Sequence, residues 1–245
     1  MKIKVIHLSK ILLFSALLVT LLTVGISIVL ATSEDYIEVP IIMYHSILKD
    51  PSRSNKYTVT PTVLEEDLKY IKDKGYTTVT IADLISYVYN DTPLPEKPIV
   101  LTFDDGHYNN YGYLFPLLEK YDMKAVISIV GSYTDKFTET DEANLNYSYL
   151  RWKDIKELMD TGRIEFQNHT YSLHSNTGKR IGTKKIKGET DEHYKNVLEE
   201  DILKLQQEFE ENTNYTPQCF TYPFGGISNA SLDIIKELGF KASLS

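Results

Sequence analysis

Short apolar runs alternate with stretches of helical periodicity along most of this 245-residue chain. The runs at 39–44, 77–80, 99–103, 124–130, 163–168, 219–223 and 240–244 predict strands. Between them, apolar residues recur at helical spacing over 62–74, where Gly75 supplies the stop, and over 81–89, 108–121, 151–160, 192–212 and 228–238. Strand followed by helix, repeated, predicts parallel βα units. The stretches 131–149 and 175–191 lack either period and read as loops, the second rich in Lys and Gly. No internal repeat or low-complexity segment interrupts the pattern.

The N-terminus departs from this alternation. Residues 11–31, ILLFSALLVTLLTVGISIVLA, carry no charge, with Lys2, Lys4 and Lys10 before them and Glu34, Asp35 and Glu38 after. At about 1.5 Å per residue, such a run spans a hydrocarbon core of about 30 Å. The lysines on the leading side predict a signal-anchor whose N-terminus stays in the cytoplasm. The division expected is a basic segment at 1–10, a membrane helix at 11–31, a linker at 32–38 and an exported catalytic domain at 39–245. Val29, Leu30 and Ala31 also offer a cleavage site, in which case the domain is secreted.

Composition narrows the partners. Without the three leading lysines the chain holds 23 basic against 34 acidic residues, a net charge of −11, which argues against nucleic acid. Cys219 is the only cysteine, so no intrachain disulfide is expected. No glycine-rich phosphate loop accompanies the acidic residues, which sets phosphoryl transfer aside.

The chemistry-bearing residues fall at the ends of predicted strands. Asp104, Asp105 and Gly106 close the strand IVLTF, His169 and His174 follow IEFQ, Phe224, Gly225 and Gly226 follow CFTYP, and His45 ends PIIMY. In a parallel α/β barrel those ends converge on one face. An Asp-Asp-Gly is often only a turn and helix cap, and two histidines five apart sit about 140° apart on a helix, so they share a ligand sphere only from a loop. Together, two imidazoles and one carboxylate make a donor set that leaves positions open for water and substrate, as a catalytic divalent metal needs. The second carboxylate is then free to act as a base. His193 reads as a surface residue, and His107 stays unassigned.

These residues resemble the polysaccharide deacetylases, the NodB-homology group of carbohydrate esterase family four. Thr102-Phe103-Asp104-Asp105-Gly106 is similar to their first motif, His169-Thr170-Tyr171-Ser172-Leu173-His174 to their histidine motif, and Thr221-Tyr222-Pro223-Phe224-Gly225 to their third. The resemblance implies a distorted (β/α) barrel, here of about seven parallel strands, that removes acetyl groups from glycans with a divalent metal, Zn²⁺ first and Co²⁺, Ni²⁺ or Mn²⁺ as alternatives. By the same resemblance Asp104 is the general base, Asp105, His169 and His174 are the metal ligands, and the Phe224 N–H is an oxyanion donor, with Tyr222 and Pro223 beside it facing substrate. The five-residue histidine spacing and the leader Ile41-Ile42-Met43-Tyr44-His45 look like the branch acting on poly-N-acetylglucosamine.

Two departures from the family pattern stand out. Thr221 occupies the place where many members carry an arginine that orients the base. No histidine follows His193, where many members carry a late catalytic acid, so either the sequence is truncated or the acid comes from elsewhere. In the branch that this chain resembles, an early histidine replaces the late one, and His45 is the candidate. The expected reaction is hydrolysis of N-acetyl groups on poly-N-acetylglucosamine or peptidoglycan, releasing acetate. A membrane-anchored glycan-binding protein without turnover is the competing expectation.

Overall fold

The computed structural model describes residues 15–21 and 37–245. Contacts divide the chain into two compact units, 1–38 and 39–245. Residues 15–21 are helical. Most of the uncharged run 11–31, read above as a membrane helix, lies outside the described residues, and among those described no helix is long and apolar enough to cross a membrane.

Seven strands of the second unit form one parallel sheet: β1 (Ile41–Tyr44), β4 (Thr77–Thr78), β5 (Pro98–Asp105), β6 (Ala125–Ile129), β7 (Ile164–Asn168), β8 (Cys219–Thr221) and β9 (Ala242–Leu244). Pairing runs β1-β5-β6-β7-β8-β9, while β4 pairs with the first residues of β5. β1 and β9 end this path, so among the described residues the barrel is not closed by strand pairing. The remaining strands, β2 (Ser46–Ile47) and β3 (Thr58–Val59), pair with each other beside the end of β1. Neither was legible as a strand, each being two residues long.

The sheet's centre is β5, where PIVLTFD is buried without a break, the pattern of a parallel strand covered on both faces. Its side chains pack with Ile127, Ile129 and Phe166 and with the helices around them. Helices α1 (Pro61–Asp73) and α2 (Ile81–Asn90) begin where the sequence signals them: Thr60 accepts from the Val63 N–H, and Thr80 and Asp83 form a reciprocal capping box. Gly75, with φ +77°, ends the first of them in the left-handed conformation.

One expectation holds with a local change and one is corrected. The helix expected over 108–121 runs through that stretch, but Asn110–Leu114 form a π-turn within it, just before α3 (Phe115–Tyr121). Pro116, in the first turn of α3, has no N–H to give the helical ladder, and the wider turn lies immediately before it. The stretch 131–149 is not all loop, because α4 (Gly131–Thr140) opens it. Its composition is poor for a helix, but Thr134 and Phe137 are buried and its first two amides are satisfied by a neighbouring loop. The remaining helices, α5 (Trp152–Asp160), α6 (Asp191–Thr213) and α7 (Asn229–Glu237), match the periodic segments. Cys219 is fully buried on β8, its N–H donated to Gln167 Oε1 at 2.7 Å, and burial pushes its thiol pKa upward.

Candidate active site

The C-terminal ends of β1, β5, β7 and β8 open into one groove of about 1010 Å³. It is lined by His45, Asp104, Asp105, His107, His169, His174, Tyr222 and Phe224, among others. Register accounts for the convergence: β5 and β7 flank β6, with Asp105 opposite Ile129 and Ile129 opposite Asn168. His169 follows Asn168, and its N–H donates to the Ile129 carbonyl at 3.0 Å.

Asp105 sits where the strand breaks into a turn. Its φ of +73° and that of Gly106, +74°, are left-handed. A Cβ added at Gly106 would fall 2.8 Å from Ile129 Cγ2, so both conformation and space demand glycine. This turn aims the Asp105 carboxylate at the histidines: Oδ1 lies 3.0 Å from His174 Nε2 and 3.6 Å from His169 Nε2, and Oδ2 lies 3.5 Å from His107 Nε2. One ligand atom from each of Asp105, His169 and His174 falls within 4.8 Å of the others. The pKa of Asp105 is held well below the carboxylate range: burial opposes this, and hydrogen bonding to the three imidazoles overcomes it.

His169 is almost wholly buried, and its Nδ1 lies 2.8 Å from the carbonyl of Thr221. A carbonyl can only accept, so Nδ1 carries a proton, and Nε2 is the ring nitrogen that faces Asp105. That second bond is the kind that fixes the tautomer and orientation of a metal-ligating histidine. The His174 ring packs 4.9 Å from that of His169 and 4.6 Å from Phe224, and the His174 carbonyl accepts from the Tyr133 hydroxyl at 3.2 Å.

The loop between the histidines is held from outside the groove. Thr170 has φ +74°, a left-handed conformation that costs a β-branched residue about 1–3 kcal/mol and persists only where its surroundings impose it. Here they do. The Gly131 and Ser132 amides at the start of α4 donate to the Thr170 and Tyr171 carbonyls, at 3.1 and 2.8 Å. The Tyr171 hydroxyl donates to Asp135 at 3.0 Å. Asp201 on α6 accepts from the amides of Tyr171 and Ser172 and from the Ser172 hydroxyl.

Asp104 lies beside this cluster, buried, with Oδ1 lacking a hydrogen-bond partner. Burial raises its pKa, against the pull of His169 and His45. The family's arginine position does not serve it: the Thr221 hydroxyl is 2.7 Å from that of Ser128, and among the described residues no lysine or arginine pairs with Asp104. His45 ends β1, half-buried, its ring 5.0 Å from that of Tyr57 and its carbonyl accepting from Asn110 Nδ2 at 3.1 Å. Burial lowers the His45 pKa, while Asp104 and Asp105 pull it up.

Phe224 is in the left-handed region, with φ +56°, and its ring is 47% exposed at the groove. Tyr222 lines the groove but is buried against Phe220, and Pro223 packs beneath Gly182 rather than lining the groove. His107, unassigned from sequence, stacks on Tyr149 at 4.8 Å beside Asp105. Asp201 was missed, although it left a signal: it interrupts the buried stripe Tyr194, Leu198, Ile202, Leu205 and Phe209 of α6, where an apolar residue is expected.

Fold and site together define an α/β protein whose strand ends present a carboxylate pair and two imidazoles. Residues 91–243, more than half of the chain, match the model of the polysaccharide deacetylases, and the chain belongs to that family. It is 25% identical over 217 residues to the poly-beta-1,6-N-acetyl-D-glucosamine N-deacetylase of Escherichia coli (strain K12), covering 81% of this chain and 32% of that protein. To the protein of the same name from Staphylococcus aureus (strain MSSA476) it is 25% identical over 189 residues, covering 77% of this chain and 61% of the relative. The chain thus spans about a third of the first relative's length and about three fifths of the second's. Among solved structures, a de-N-acetylase from Aggregatibacter actinomycetemcomitans shares the fold with a TM-score of 0.72 at 24% identity, over 84% of this chain and 86% of that one.

Proposed function

We propose that this protein is a metal-dependent deacetylase that hydrolyses N-acetyl groups of an extracytoplasmic glycan, poly-N-acetylglucosamine or the N-acetylglucosamine of peptidoglycan, and releases acetate. The observation that carries the reading is the Asp105, His169 and His174 cluster beside a buried, unpartnered Asp104 in an open groove. Family membership and the substrate named for the bacterial relatives support the choice of glycan. The uncharged run at 11–31 and its preceding lysines support a membrane anchor with the catalytic domain outside the cell.

The donor set fits a divalent cation. Asp105 Oδ1 is buried and lies 3.0 Å from His174 Nε2 and 3.6 Å from His169 Nε2, and the bond from His169 Nδ1 to the Thr221 carbonyl turns Nε2 toward it. A cation held by Asp105, His169 and His174 would supply a Lewis acid for the acetyl carbonyl and for water. Asp104 accepts a proton from the attacking water as its oxygen bonds to the carbonyl carbon. The Phe224 N–H donates to the oxygen that becomes negative in the tetrahedral intermediate. His45 delivers a proton to the nitrogen as the carbon–nitrogen bond breaks, so that acetate and a glucosamine amine leave.

Acetate release from short N-acetylglucosamine oligomers tests the reading: a chelator should abolish it and added Zn²⁺ restore it. Oligomer binding without acetate release by the metal-loaded protein would instead establish a glycan-binding protein. The place of Thr221, bonded to Ser128 and not to Asp104, is the observation that favours that alternative.

A further inference from the structure

We propose that Asp201, on α6 and outside the groove, is a positioning residue that shapes the two-histidine loop and thereby sets the affinity of the metal site. The proposal rests on the reading of Asp105, His169 and His174 as ligands. Asp201 does not line the groove, so it has no part in binding glycan there. Its carboxylate faces the back of the loop: one oxygen accepts the Tyr171 N–H at 2.7 Å, and the other accepts the Ser172 N–H and Oγ, both at 2.8 Å.

These bonds act on the segment whose course decides where His174 stands relative to His169. Thr170 turns the chain through a left-handed conformation, after which the amides of Tyr171 and Ser172 both face α6. α6 is itself tied to the strand that carries His169, since Asn168 Nδ2 donates to the Ile202 carbonyl and to Gln206 Oε1, each at 3.1 Å. Asn168 Oδ1 also accepts the Thr170 N–H at 2.9 Å. Asp201 is therefore a fixed post behind the loop. Its two oxygens hold two adjacent amides, and the donors of α4 hold the carbonyls of Thr170 and Tyr171. Charge matters as well as shape, because a carboxylate accepts at both oxygens whereas an amide side chain turns an NH₂ group toward one of these donors.

Asp201→Asn in the full chain separates this role from a general contribution to folding. Metal-stripped protein is titrated with Co²⁺ and followed by its visible absorption. Affinity should weaken by roughly 10- to 100-fold, the usual effect of losing an outer partner of a ligand. The band at saturation should also change, while the melting temperature of the metal-free protein stays near that of the parent. Unchanged Co²⁺ affinity, or a loss of affinity matched by a lower metal-free melting temperature, overturns the proposal. If Asp201→Asn does not fold, Ser172→Ala carries the test: it removes one of the three contacts, a several-fold loss is expected, and no loss overturns the idea. A parent protein that binds no Co²⁺ at all would overturn the metal-site reading instead.

Discussion

The imidazole of His169, carried at the end of β7, is oriented by the main-chain carbonyl of Thr221 at the end of β8, 2.8 Å away. The Thr221 side chain serves another purpose, meeting the Ser128 hydroxyl at 2.7 Å in the core. Thr221→Val should therefore leave Co²⁺ or Zn²⁺ affinity nearly unchanged. It should lower stability by about 1–3 kcal/mol, because Ser128 Oγ loses its buried partner. Metal titration and denaturant melts read the two effects separately, and a large loss of metal affinity would show that the side chain, too, positions His169.

The adjacent carboxylates should divide when mutated. Asp104→Asn is expected to retain the metal and lose most turnover, since an amide cannot accept the proton of water. Asp105→Asn and His174→Ala should each weaken metal binding by much more than tenfold, because each removes one of three ligands. Metal content after dialysis, measured beside acetate release, decides the matter; equal metal loss in both aspartate variants would reverse the roles.

His45→Ala should lower kcat by roughly 10²- to 10⁴-fold, the usual worth of a general acid, with metal content intact. A proton donor is lost as pH rises, so the variant should also lose part of the basic limb of the pH–rate profile. Turnover at the parent rate would place the acid elsewhere.

Behind the histidine loop, Glu208 carries a pKa raised from its ordinary 4.5 to about 7, by burial first and then by the neighbouring Asp135. The folded chain binds this proton more tightly than the unfolded one, so stability falls as pH rises from about 4.5 to about 7. Glu208→Gln should flatten that decline and leave the protein more stable than its parent at pH 8, by roughly 1–3 kcal/mol. Melting curves across this range that run parallel for the two proteins would refute the assignment.

The strands and most helices were legible because burial writes its period into the sequence: PIVLTF can only be a covered strand, and Thr80 with Asp83 marks a helix start. α4 was not, because GSYTDKFTET has weak propensity and no side-chain cap. What makes it a helix is the pair of carbonyls at Thr170 and Tyr171, 39 residues or so along the chain, that receive its first amides. The aspartates and histidines of the site stood out only jointly, because each alone reads as a turn or cap while several strands end in such residues on the same face. Asp201 did not, because an acid on a charged helix reads as a solvated face until the fold turns it inward. The place of Thr221 was visible, but not the division of labour between its carbonyl and its hydroxyl, since that depends on β6 and β7 arriving beside it.

The single thiol gives this protein an internal clock. Cys219 is sealed in β8 between β7 and β9, two residues before the carbonyl that holds His169. A thiol reagent can reach it only when the sheet parts at that point, and its raised pKa keeps it unreactive during smaller fluctuations. The rate of alkylation in native buffer therefore reports the opening of the very strands that orient the histidine, as an opening rate when the reagent outpaces reclosing and as an open population when it does not, with no probe added to the chain.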